Sequence, residues 1–476
     1  MTTATNSAPL MLSVSGCRGI VGQSFTPETV ARFIGAAVSW VRASTGVEHP
    51  VMVLARDGRK GGAAVASLAA GTLAAAGCRV INLDVATTPT AGFMVLRHKA
   101  QGGLVITASH NPAQWNGLKV LSSQGGAPSA AEAKAIIDAF NQGGSGRWAE
   151  SGAVGQIESD TGSATLHCEA VLAELAKLIP LNDIRRRGFK VVLDSVNASG
   201  AEAGKLLLES LGCRLVHLHA DGSGAFPHTP EPTRENLAGL CAAVREHRAE
   251  VGFAQDPDAD RLAMVDESGS YIGEEYTLSL GVKSWLSMLP AGEARGSKVA
   301  ANLSTSRMID DVAAGFGASV VRTAVGEANV VEAMRRNGSV MGGEGNGGVI
   351  WTRIVPIRDS LSAMALTLAL MAREGVPLSQ IASGVPSYSI VKEKIDVREG
   401  LAARAVAAVQ AHFAAKGARM SDLDGVRADF SVPSGSAWVH VRASNTEPII
   451  RLIAEAPRTE DAATVLAEVR GIVDKC

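Results

Sequence analysis

Aromatic residues are scarce in this chain, which has three tyrosines, six tryptophans and ten phenylalanines in 476 residues. No basic block or aromatic-basic stripe occurs, and 45 Lys and Arg nearly balance 47 Asp and Glu. A nucleic-acid partner is therefore not expected. No two cysteines are spaced C-x-x-C. Cys17, Cys78, Cys168, Cys213, Cys241 and Cys476 are scattered, which argues for reduced thiols rather than a disulfide or zinc framework. The opening "MTTATNSAPLML" has neither a basic n-region nor a long apolar core, so no secretory signal is expected. The longest apolar run, "LSAMALTLALMA" at 361–372, is too short to cross a bilayer. These absences predict a soluble, cytoplasmic protein with no membrane partner.

Alanine and glycine, by contrast, are abundant, which suits tightly packed α/β layers. The length fits roughly three domains at about 150 residues each. Three segments resemble one another: "PVMVLARDGRKGGAAVASLAAGTLAAAGCRVINLD" (50–84), "KVVLDSVNASGAEAGKLLLESLGCRLVHLH" (190–219) and "KVAANLSTSRMIDDVAAGFGASVVRTAVG" (298–326). Each runs from an apolar strand through a polar loop into an Ala- or Leu-rich helix, stops at glycine, and begins a second strand. That order is the βαβ unit, whose parallel strands need helices on the sheet faces. The Gly/Ser-rich stretch 141–163 reads as a linker or exposed excursion. The expected domains are 1–160, 161–270 and 271–386, each α/β with a mixed sheet. In 387–476 a helix, several strands and a final helix follow one another without βαβ alternation, so this region is expected to be a smaller α+β domain.

Four motifs carry chemistry. In "TASHNP" (107–112), the apolar run "GGLVIT" precedes Ser109 and His110, and Pro112 forbids a regular helix through them. Ser109 is thus expected on a turn at a strand end, where its hydroxyl either does chemistry or satisfies a local turn. In "DPDADR" (256–261), Asp256, Asp258 and Asp260 alternate. On an extended segment they would project to one side and repel without a cation. Hard oxygen ligands in that number suit Mg²⁺. An EF-hand fails, because Arg261 stands where the loop needs glycine and the flanks read as strands. In "MGGEGNGGVI" (341–350), glycines surround Glu344 and Asn346. That pattern suits either a sugar, through its hydroxyls, or a flexible turn. In "RASNTEPIIR" (442–451), Arg442, Ser444, Asn445, Thr446 and Arg451 suit a phosphate dianion better than a plain turn, which needs no arginines. Arg18, in "SGCRGIVG", is placed for an anionic site. Arg56, Asp57 and Arg59 read as a structural ion-pair turn beneath it. A serine hydrolase is disfavoured: adjacent Ser109 and His110 cannot adopt triad geometry, and no G-x-S-x-G elbow occurs.

In this order and spacing the four motifs resemble those of the α-D-phosphohexomutase superfamily, over essentially the whole chain. The resemblance implies three related α/β domains and a C-terminal α+β domain around a central cleft. It implies that Ser109 is carried as phosphoserine, which adds about −1.5 to −2 charge. The phosphate on Ser109 would share Mg²⁺ with Asp256, Asp258 and Asp260, with Arg261 neutralising charge and Arg18 approaching the phosphoserine. A hexose 1,6-bisphosphate would serve as intermediate and activator. Lys119, in "NGLKV", matches the family's general-base position, and His110 is a second acid/base candidate. Gly326, in "TAVGEANV", would join Glu344 and Asn346 on the phosphosugar. Arg442, Ser444, Asn445, Thr446 and Arg451 would grip the phosphate that is not reacting. Many relatives carry G-E-x-S-G-H in the sugar loop; here Asn346 and Gly348 take the serine and histidine positions. This form resembles some phosphoglucosamine mutases and some broad-specificity mannose/glucose mutases. The expected reaction is glucosamine 6-phosphate to glucosamine 1-phosphate. The alternatives are a phosphomannomutase/phosphoglucomutase and a non-catalytic sugar-phosphate-binding protein of the same fold.

Overall fold

The three strand–helix–strand units form as the sequence pattern requires. The structure, a computed structural model, describes residues 10–143, 146–396, 400–443 and 449–476. The units are Val51–Arg56, Gly62–Ala75 and Arg79–Val85; Lys190–Asp194, Gly200–Ser210 and Arg214–Leu218; and Lys298–Asn302, Met308–Gly315 and Ser319–Thr323. In each unit the two strands pair in parallel. After each helix the chain turns at a left-handed glycine, Gly77, Gly212 or Gly317, a conformation that costs other residues steric strain.

The likeness goes further than the units. In each of the three sheets a third strand pairs in parallel with the first, and an antiparallel strand follows it at once. These hairpins are Gly102–Ile106 with Trp115–Ser122, Val251–Gln255 with Leu262–Asp266, and Met341–Glu344 with Gly348–Trp351. The loops inside them are the "TASHNP", "DPDADR" and "GEGNGG" segments. One architectural position, used three times, carries three of the four motifs. All three loops leave the carboxyl end of a parallel strand, where ligands bind in open α/β sheets.

The stretch 141–163 is not simply a linker. Ile157–Ser159 adds a parallel edge strand beside Arg79–Val85. Three residues paired through their backbones leave no hydrophobic alternation to read from sequence. At the opposite side of this seven-stranded sheet lies the hairpin Met11–Ser13 and Gly16–Ile20.

The run at 361–372 becomes the helix Ser360–Glu374, buried from Ser360 to Met371. It packs on Glu274–Met288 and on Ser163–Leu175 and Gly200–Ser210 from the preceding unit. Its apolar all-round surface is what a helix enclosed by neighbours requires. Around it one apolar core runs continuously from Val53 through Phe189 to Leu366. Among the described residues no helix is long and apolar enough to cross a membrane. The C-terminal region forms an antiparallel sheet in the order Ser389–Asp396, Ile449–Ala456, Gly435–Ala443, Val426–Val432 and Arg419–Ser421. The helices Leu401–Ala415 and Thr459–Val473 pack on it around a core of their own. The observed fold is therefore three α/β units with mixed sheets and one α+β unit.

Candidate active site

Ser109 follows the strand Gly102–Ile106 with a left-handed φ of 50°. Its backbone is held from both sides. Its N–H donates to Thr107 Oγ1 at 2.8 Å, and its carbonyl accepts from Arg59 Nη2 at 2.6 Å. Thr107 Oγ1 and Arg59 Nε both donate to Asp57 Oδ2. Asp57 and Arg59 are buried and form an ion pair at 2.8 Å, so the ion-pair turn is a clamp under the serine loop. Arg56 leaves that group and pairs with Asp84.

The Ser109 side chain does not face open solvent as a strand-end turn suggests; the residue is only 3% exposed. The "DPDADR" loop covers it. Ser109 Oγ donates to Asp256 Oδ2 at 3.2 Å and lies 3.3 Å from His110 Nδ1 and 3.5 Å from Arg261 Nη2. Arg18 donates to Asn111 Oδ1 at 3.1 Å and to the Ala108 carbonyl, on the same loop. Burial, followed by the nearby Arg261 and Arg18 charges, holds the His110 imidazole well below its ordinary pKa. Its ring is therefore neutral at physiological pH.

Asp256, Asp258 and Asp260 converge, though not by strand pleating. They lie on the tight turn between two antiparallel strands, with Ala259 at a left-handed φ of 53°. All three are buried, and one carboxylate oxygen from each lies within 4.8 Å of the others. Burial and the charges of Asp260 and Asp258 push Asp256 up to about 7. Asp258 Oδ1 and Asp260 Oδ1 are buried without a hydrogen-bond partner. Converging hard oxygens with unused lone pairs fit Mg²⁺.

Cations ring this cluster. Lys119 Nζ donates to Asp258 Oδ2 at 2.5 Å and to Asp260 Oδ2 at 3.0 Å. Burial opposes its charge, but the two carboxylates outweigh burial and raise its pKa. Arg261 Nε donates to Asp256 Oδ2 at 3.1 Å.

The sequence reading missed Arg358, which precedes the central helix. It donates to Asp260 Oδ2 at 2.7 Å, to Glu344 Oε2 at 2.7 Å and to Glu327 Oε2 at 3.1 Å. One guanidinium thus ties the "DPDADR" loop to the sugar loop. Other missed residues are Thr88, whose hydroxyl donates to Asp258, and Glu231, which faces His110 at 3.7 Å and Arg261 at 4.0 Å. None has a local motif. The one available signal was "IRDS", a charged pair directly ahead of the most apolar run.

Glu344 is 5% exposed and already accepts from Asn302 Nδ2 at 2.7 Å and from Gly326 N at 3.2 Å. Asn346 Oδ1 is buried and accepts from nothing among the described residues. Arg442 and Arg451 sit directly opposite each other on neighbouring antiparallel strands. Like charges so placed are destabilising, and Asp424, 3.9 Å from Arg442 Nε, offsets them in part. Burial lowers the Arg442 pKa, and Glu344 is among the charges that act on it. The Arg442 guanidinium is therefore near enough to the sugar loop for the Glu344 charge to act on it. Ser444, Asn445 and Thr446 lie outside the described residues.

A buried serine beside a carboxylate cluster, a ring of cations and paired arginines, on three repeated α/β units and an α+β unit, is the arrangement of a phosphohexomutase. The chain matches all four domain models of phosphoglucomutase/phosphomannomutase: the α/β/α domains I, II and III at residues 11–147, 168–269 and 275–388, and the C-terminal domain at 389–472. It is 33% identical over 464 residues to a Methanopyrus kandleri protein named "Probable phosphoglucosamine mutase", covering 97% of each chain. It is 34% identical to the "Phosphoglucomutase/phosphomannomutase" of Thermococcus kodakarensis, covering 95% of each. A solved phosphoglucomutase/phosphomannomutase family protein from Burkholderia thailandensis superposes with a TM-score of 0.82 at 27% identity, covering 98% of this chain and 97% of that one. The chain belongs to the phosphoglucomutase/phosphomannomutase family. As a phosphohexomutase it is an isomerase.

Proposed function

We propose that this enzyme interconverts glucosamine 6-phosphate and glucosamine 1-phosphate, with Ser109 as carrier of the transferred phosphoryl group. The carrying observation is the position of Ser109 Oγ, 3.2 Å from Asp256 and 3.5 Å from Arg261. Mg²⁺ bound by Asp256, Asp258 and Asp260 supplies charge neutralisation to the phosphoryl group. Arg261, Lys119 and Arg18 provide fixed positive charge around it, at no reorganisation cost. The sugar hydroxyl attacks phosphorus, and the bond from phosphorus to Ser109 Oγ breaks. The hydroxyl proton passes in net to the departing Ser109 oxygen, beside which His110 Nδ1 lies at 3.3 Å as a relay. The bisphosphorylated hexose then turns within the cleft and returns its other phosphate to Ser109.

Arg442 and Arg451, with Ser444, Asn445 and Thr446, hold the distal phosphate in either orientation. Binding at that end positions the reacting end. The amino sugar is favoured by two acceptors on the same loop, the Glu344 carboxylate and the unsatisfied Asn346 Oδ1. The relative named phosphoglucomutase/phosphomannomutase makes glucose and mannose phosphates the competing substrates.

The test is a panel of glucosamine, glucose and mannose 1-phosphates, assayed with a trace of hexose 1,6-bisphosphate. The highest kcat/KM is expected for the glucosamine compound. A preference for mannose or glucose phosphate overturns the substrate assignment, and turnover of none of them overturns the mutase reading.

A further inference from the structure

Asp194, His219 and His228 lie outside the proposed phosphoryl-transfer site. Asp194 ends the strand Lys190–Asp194 and is 2% exposed. The two histidines come from the loop after Arg214–Leu218 and are partly exposed. His219 Nδ1 lies 3.0 Å from Asp194 Oδ1, and His228 Nε2 lies 3.0 Å from Asp194 Oδ2. One ligand atom from each residue lies within 4.8 Å of the other two.

The tautomers decide what this cluster can do. His228 Nδ1 is 2.8 Å from the Thr229 carbonyl, which can only accept. Nδ1 therefore donates to that carbonyl, and Nε2 is the ring atom held at Asp194, to which it donates when protonated and at which a metal ion can replace the proton. Orientation of a histidine ligand by a carbonyl on its other nitrogen is the usual support in metal sites. His219 Nδ1 is buried and, though 3.0 Å from Asp194 Oδ1, makes no hydrogen bond to it or to any other described group. Three ligand atoms thus converge, one of them buried without a hydrogen bond, and a cation between them would satisfy His219 Nδ1 and take the place of the proton between His228 and Asp194.

We infer that Asp194, His219 and His228 form a second metal site, selective for a borderline transition-metal ion such as Zn²⁺. Two imidazoles and one carboxylate suit Zn²⁺, whereas the all-oxygen set of Asp256, Asp258 and Asp260 suits Mg²⁺. The three ligands leave a fourth position for water. The loop after Asp194 also reaches the catalytic loops. Ser199 N donates to the carbonyls of Asp57 and Pro257, and Ser199 Oγ donates to the Pro257 carbonyl at 2.7 Å. A cation at Asp194 thus braces the segment that supports both the serine clamp and the "DPDADR" loop.

The test is equilibrium dialysis of the full-length protein against Zn²⁺ in excess Mg²⁺, with bound metal counted by elemental mass spectrometry. One Zn²⁺ per chain is expected in the unsubstituted protein and in Asp258→Asn. The double variant His219→Ala/His228→Ala should bind Zn²⁺ more than about 100-fold more weakly, beyond the 10–100-fold that loss of an outer partner costs. Zn²⁺ should raise the Tm of the unsubstituted protein and of Asp258→Asn, not that of the double variant. The Co²⁺ form should show visible absorption that the double variant lacks. His228→Gln, whose fold is checked by circular dichroism, should weaken Zn²⁺ binding in the same direction. No Zn²⁺ in the unsubstituted protein, equal binding by the double variant, or loss of Zn²⁺ only in Asp258→Asn would overturn the site.

Discussion

Arg358 occupies the space that a side chain at position 348 would need. A Cβ on Gly348 would come 2.1 Å from Arg358 Cδ and 2.8 Å from its Cγ. The glycine in the sugar loop and the arginine before the central helix are therefore one device. Glycine at 348 leaves the space through which a guanidinium, bound to Asp260, Glu327 and Glu344, passes.

Gly348→Ala should push Arg358 away from Asp260 and Glu344. A displacement of about 1 Å at such a site costs about 100-fold in rate, so kcat should fall to that extent while the protein stays folded. In an Arg358→Ala background the same substitution should add little, because the clash is gone. Steady-state kinetics on the four-member cycle checks this. Independent, additive losses would show that the two residues do not act together.

Removing metal should abolish turnover, and Mg²⁺ should restore it. Asp258→Asn should raise the Mg²⁺ concentration needed for half-maximal rate, since one hard anionic ligand is lost. The measurement is activity against free Mg²⁺ after chelation. Full activity in excess chelator would remove the carboxylate cluster from the mechanism.

Asp57→Asn should destabilise the protein by about 3–5 kcal/mol, the usual result of breaking a buried ion pair from one side. It leaves Arg59 charged and buried beneath the serine loop. Denaturant unfolding reads the stability, and a parallel assay should show a loss of kcat greater than any change in KM.

Glu275 is half-buried behind the sugar loop, where a Cβ on Gly345 would meet its carboxylate. Burial pushes its pKa up to about 8 from the ordinary 4.5. Below 4.5 folded and unfolded chains are both protonated. Between 4.5 and 8 the unfolded chain releases the proton and the folded chain keeps it, so stability falls as pH rises. Glu275→Gln removes this dependence. The Tm of the variant should gain on that of the unsubstituted protein progressively across this window. A constant difference would contradict the raised pKa.

The strand–helix–glycine–strand units were legible because their pattern is local and repeats three times. The motif loops were legible because glycine, carboxylates and arginines are unusual inside apolar surroundings. Arg358, Thr88, Glu231 and Glu327 were not, since each reaches the site from a distant part of the chain with no spacing to mark it. The edge strand Ile157–Ser159 was hidden because its pairing uses backbone alone. The burial of Ser109 depends on a loop almost 150 residues further along, which no reading of "TASHNP" could supply. The equivalence of three hairpin loops became visible only with the sheet order, since of their strands only the run before Ser109 and the flanks of "DPDADR" had been expected.

Phosphorylation of Ser109 is the most direct test of the account. Intact-mass and peptide mass spectrometry of the purified enzyme should find one phosphate, on Ser109, and incubation with excess hexose 1-phosphate should deplete it as hexose 1,6-bisphosphate is released. Ser109→Ala should lose the phosphate and nearly all mutase activity while keeping its fold. A Ser109→Ala variant with undiminished turnover, or a phosphate on another residue that exchanges with substrate, would contradict Ser109 as the carrier.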